Sequence, residues 1–140
     1  MERVSARKTA APRERRARGA QESLASIVLV FESIVAFLAG LAVFGLQALP
    51  AGIGQWWGIV AGSVIAVLMM LTAGLVRHRW AIAFGWVLQL TIVVGAIFVP
   101  ALVLVALIFG AMWAYATIKG ASLDRRNARL AAEAEQRNGD

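Results

Sequence analysis

Few side chains in this chain can do chemistry. There is one histidine, His78, one tyrosine, Tyr115, and no cysteine. Disulfides, thiolate metal sites and a cysteine nucleophile are therefore excluded. A serine triad or a histidine metal cage would have to rest on His78, which is wedged between Arg77 and Arg79. That leaves the carboxylates. Most lie among arginines near the ends of the chain, but Glu32 stands alone within an apolar stretch. A lone acid in such a setting can hold a proton, bind a cation or tie elements together, but it has no second carboxylate to work with. No catalytic residues, metal site or cofactor are expected.

The surroundings of Glu32 show what must position it. No residue is charged between Ser33 and Val76, nor between Trp80 and Ile118. Apolar residues make up 60% of the chain and mean hydropathy is +0.72, beyond the roughly one-half apolar usage of soluble domains. A bilayer crossing takes about 20 apolar residues, far more than a typical buried soluble helix requires. The composition specifies an all-α integral membrane protein, a four-helix bundle of two antiparallel hairpins.

Spans are expected over about 24–49, 58–76, 81–98 and 101–118, together forming a bundle over 23–118. Pro50 to Trp57 supplies the first turn, with proline and glycine as breakers and two tryptophans suited to the headgroup layer. Arg77-His78-Arg79-Trp80 closes the second span. Pro100 divides the last apolar stretch and fits the first position of the fourth helix. Residues 1–22 read as a flexible basic arm. The apolar run after it is too long for the core of a cleaved signal peptide, so an uncleaved anchor is expected. Residues 119–140 read as a short helical tail capped by Ser122, with Arg129–Glu133 and Glu133–Arg137 pairs one turn apart.

Charge orients the chain. It carries 14 basic and 8 acidic residues, a net +6. In a soluble protein such a balance suggests nucleic acid, but here the basic residues flank spans and no nucleic-acid partner is expected. All of them fall in the arm, the 77–80 loop or the tail, and none in the 50–57 loop or the 99–101 turn. The positive-inside rule then places both termini in the cytoplasm. Only Lys8 and Lys119 of the basic residues are lysine, and with so much alanine and glycine this suggests a GC-rich bacterial genome, hence the cytoplasmic membrane of a bacterium. The expected partners are the lipid bilayer and its anionic headgroups, with a protein partner or a second copy as further candidates.

Small residues at four-residue spacing mark helix packing in membranes. Gly54, Gly58 and Gly62 form one such row, and Ala36 with Gly40 another. Gly85 follows Ala81 at this spacing, and Gly110 lies between Ala106 and Ala114. Glu32 shares its face with Ala36 and Gly40 and should point inward, about 12 Å into the first span at ~1.5 Å per residue. A charge at that depth costs at least a few kcal/mol on insertion scales, so Glu32 needs a partner or a proton. Gln89 lies at the same level of the third span and is the expected partner; Thr72 and Arg77 are the secondary candidates. Trp86, Trp113 and Tyr115 are read as packing and interfacial anchors.

Leu29-Val-Phe-Glu-Ser-Ile-Val35, Leu75-Val-Arg77, Gly85-Trp-Val-Leu-Gln89, Gly95 with Pro100, and Phe109-Gly-Ala-Met-Trp113 carry a resemblance over about residues 24–120. The chain resembles the small actinobacterial membrane family called domain of unknown function 4233. The resemblance implies the four-helix fold and draws attention to Glu32 and Gln89, without supplying a catalytic role. In architecture the chain is also similar to small multidrug-resistance transporters, which have four short helices and an acid in the first. Those work as antiparallel dimers with little charge bias, whereas this chain is strongly biased. Two functions compete: a non-enzymatic interaction or accessory protein, and a small proton-coupled transporter using Glu32. Water access to Glu32 separates them.

Overall fold

The computed structural model describes residues 19–139, and most of the expected basic arm lies outside them. Four helices follow in order: α1 (Ala20–Gly45), α2 (Trp56–Leu75), α3 (Arg79–Phe98) and α4 (Leu102–Gly139). All four are long and apolar enough to cross a membrane. Their outward faces carry large apolar side chains, such as Phe31, Val67, Leu90, Ile97 and Leu107, each at least half exposed. That is the arrangement hydrocarbon surroundings require and water penalises.

The helix ends depart from the expected ones for local reasons. α1 begins at Ala20, so the last residues assigned to the arm are helical. It ends at Gly45 rather than near Leu49, in a Schellman motif. Gln47 takes the left-handed conformation (φ 51°), Ala48 N–H donates to Val43 O at 3.1 Å, and Gln47 N–H to Phe44 O at 3.2 Å. A glutamine at the position glycine usually fills hid this stop. The loop that follows is pinned by the Gln55 side chain, which accepts from Leu49 N–H and donates to Leu49 O, both at 3.0 Å. Pro100 is not the first helical residue. It lies in the turn before α4, and its carbonyl accepts from Val103 N–H at 3.0 Å.

The largest departure is α4. No break separates the fourth span from the tail: one helix of 38 residues runs through Lys119, Gly120 and Ser122 to Gly139, so Ser122 caps nothing. At ~1.5 Å per residue it is about 57 Å long, roughly twice a hydrocarbon core, and its last turns must project beyond the membrane. Gly120 serves as a crossing point instead of a stop, because a Cβ there would overlap the Gln21 backbone of α1.

Around the bundle, α1 packs most extensively on α2 and next on α4, and α3 packs on α4. The ring is weakest between α2 and α3. The core cluster joins Ala25, Leu29 and Ala36 of α1 to Met69, Leu88 and Trp113. The α1–α2 seam is built on small residues. A Cβ on Gly40 would lie 2.6 Å from Gly58 O and 2.9 Å from Gly62 Cα, so the backbones are nearly in contact.

Candidate intramembrane polar site

α1 turns a continuous stripe inward: Ala25, Val28, Leu29, Glu32, Ser33, Ala36, Gly40 and Val43. The three-to-four-residue spacing carries Glu32 to the bundle interior with the small residues that allow close approach. α3 buries Ala81, Gly85, Leu88, Gln89 and Ile92 in the same way. Counted from the observed helix starts, Glu32 lies about 18 Å along α1 and Gln89 about 15 Å along α3, nearly level.

The two side chains meet. Gln89 Nε2 donates to Glu32 Oε2 at 2.5 Å, with Glu32 wholly buried and Gln89 4% exposed. The secondary candidates make other contacts. Thr72 is buried, but its hydroxyl donates to Leu68 O at 2.6 Å within its own helix. Arg77 is exposed at the basic end of the bundle. Ser33 and Thr117 likewise return their hydroxyls to their own helices, to Val30 O and Trp113 O.

The aromatic residues divide. Trp113 is wholly buried, its indole lying over Gly85, where any Cβ would collide with the ring. Trp86 and Tyr115 face outward, 42% and 62% exposed. Among the glycines, Gly58 and Gly62 pack as the spacing predicts, but Gly54 does not. It precedes α2 in the exposed turn, and the atoms nearest its Cβ position all belong to the ring of Trp56. Gly110 is no close-packing point either: a Cβ there would find only Gln89 Oε1 within 4 Å, at 3.9 Å.

Beyond the pair, toward the uncharged end, lies a cavity of about 320 Å³. Ala36, Gly40, Ala61, Ile65, Ile92 and Gly95 contribute to its walls, and neither Glu32 nor Gln89 does. It stops one helical turn short of the pair, at Ala36 and Ile92. Its one hydroxyl, on Thr91, is donated to Val87 O at 3.0 Å. Among the described residues no three His, Cys, Asp or Glu side chains gather to hold a metal.

A second polar cluster, invisible in the sequence pattern, clasps the basic end. Asp124 of α4 accepts from Ala20 N–H at 2.6 Å and Gln21 N–H at 3.1 Å, while Gln21 Nε2 donates to Thr117 O at 2.9 Å. The carboxylate thus caps α1 from far along the chain, meeting donors that every helix start leaves open. Nothing local marks Asp124, which reads as one more charge beside Arg125 and Arg126.

Four apolar spans, a small-residue seam and a buried carboxyl–carboxamide pair define a small multi-pass membrane protein. The chain belongs to the family described as protein of unknown function (DUF4233), whose pattern residues 23–129 match. No curated protein and no solved structure matches it.

Proposed function

We propose that the chain is a non-enzymatic accessory protein of the bacterial cytoplasmic membrane, its basic end facing the cytoplasm. The observation that carries this reading is the sealing of Glu32. The one acid deep within the spans is wholly buried and bonded to Gln89, and the nearby cavity is apolar and ends a turn away. A transporter needs a polar path to its acid. A scaffold needs a bond that sets helix register, and the pair supplies one.

The working surface is then the basic end. Beyond the spans, α4 exposes nearly every side chain from Ser122 to Gly139, with arginines at 125, 126, 129 and 137. Anionic headgroups attract such a surface by about 1 kcal/mol per basic residue near the membrane, less at higher salt. The projecting helix offers a docking surface to a cytoplasmic protein or a second copy of the chain.

The test is cross-linking in native membranes, followed by purification of the full chain and of a form ending at Arg126. A partner held by the full chain and lost on truncation supports the accessory role. Proton-coupled transport is the competing reading, and it requires Glu32→Gln to abolish the strain's phenotype with the bundle intact. That result would overturn the proposal.

A further inference from the structure

Among the described residues, three buried side-chain polar atoms have no hydrogen-bond partner: Glu32 Oε1, Gln89 Oε1 and Trp113 Nε1. They belong to side chains 0%, 4% and 0% exposed, on α1, α3 and α4. Glu32 and Gln89 are already joined through their other polar atoms. The Trp113 indole lies on Gly85, one turn from Gln89 along α3, and Gln89 Oε1 faces Gly110, one turn before Trp113 along α4. The three atoms therefore belong to neighbouring side chains where α1, α3 and α4 meet. Each would cost about 1–3 kcal/mol if left unsatisfied.

We propose that Glu32, Gln89 and Trp113 form a buried hydration site holding one water molecule. With Glu32 ionised the inventory is two acceptor oxygens and one N–H donor; with Glu32 protonated it is one acceptor and two donors, and a water molecule satisfies either set. Water is the smallest molecule that complements the first set, accepting from Trp113 Nε1–H and donating to Glu32 Oε1 and Gln89 Oε1. Three bonds to otherwise unsatisfied groups is the usual state of a buried water. An ammonium group has no acceptor for the indole N–H, and a metal ion would be repelled by it. An apolar guest would leave all three atoms unpaired.

Gly110 leaves room beside Gln89. Apart from its chain neighbours and its own helix backbone, the position of its missing Cβ has only Gln89 Oε1 within 4 Å, at 3.9 Å. A methyl group and a water molecule are similar in size, so alanine at this position competes for that space while making ordinary contacts. The site is compatible with the accessory reading, because a single trapped water bonded on three sides provides no path through the bundle.

The test is water-edited solid-state NMR on the full chain in lipid bilayers, reading polarisation transfer from water protons to Trp113 Nε1–H. The wild type should show transfer to this buried indole, and Gly110→Ala should lose it while the spectrum stays that of the folded bundle. No transfer in the wild type, or transfer that Gly110→Ala leaves unchanged, overturns the proposal. If Gly110→Ala does not assemble, the wild-type measurement decides alone.

Discussion

At the scale of single residues, Glu32 matters because it is out of place. Its bond to Gln89 is made away from bulk water, yet such contacts in membranes are worth only about 0.6–2 kcal/mol, because the separated helices find other partners. Glu32→Leu should lower the unfolding free energy in bilayers by about that amount, since Gln89 Nε2 loses its acceptor. Glu32→Gln keeps an acceptor oxygen facing Gln89 and should be nearly neutral in the same measurement. The pairing was legible beforehand, because charge-free spans and equal depth leave few candidates. The role of Trp113 was not. Trp86, Trp113 and Tyr115 are equally aromatic, and only packing on Gly85 turns one of them inward.

At the scale of helices, the α1–α2 seam depends on missing side chains. A Cβ at Gly62 would lie 2.8 Å from Gly40 Cα and 2.9 Å from Ala36 O, which are backbone atoms that cannot rotate away. Gly62→Val should destabilise the bundle by about 1–3 kcal/mol, the usual cost of overpacking. Gly74, in the same helix with nothing within 4 Å of its Cβ position, is the control. Gly74→Ala should be neutral or slightly stabilising, because alanine favours helix. The Asp124 clasp makes a separate prediction. Asp124→Ala removes the acceptor for two N–H groups and should cost about 1 kcal/mol, as lost helix caps do. The amides of Ala20 and Gln21 should then exchange faster with solvent, while those of α2 stay protected.

For the whole molecule, the asymmetry of charge makes orientation testable. Reporter fusions after Gln55 and at the C-terminus should lie on opposite sides of the membrane, the second in the cytoplasm. Moving several arginines into the 50–57 loop should disturb this arrangement, since basic residues near span ends set orientation. The bundle is also uneven. α1 is gripped by α2 and α4, whereas α2 and α3 meet little and leave an apolar cavity at the uncharged end.

The amino-acid sequence alone determined the number of spans, their approximate limits, the basic and uncharged ends, the small-residue seam and the exceptional status of Glu32. These follow from hydrocarbon thickness, charge and helical periodicity, which act along the chain. Tertiary structure decided which faces turn inward, since lipid tails and a protein core are equally apolar and hydropathy cannot tell them apart. It also decided where helices stop. Gln47 ends α1 in a conformation usually left to glycine, while Gly120, an apparent stop, sits mid-helix because Gln21 of α1 occupies the space of its side chain. Asp124 closes α1 across the fold, and a contact so distant in the chain leaves no local pattern to read.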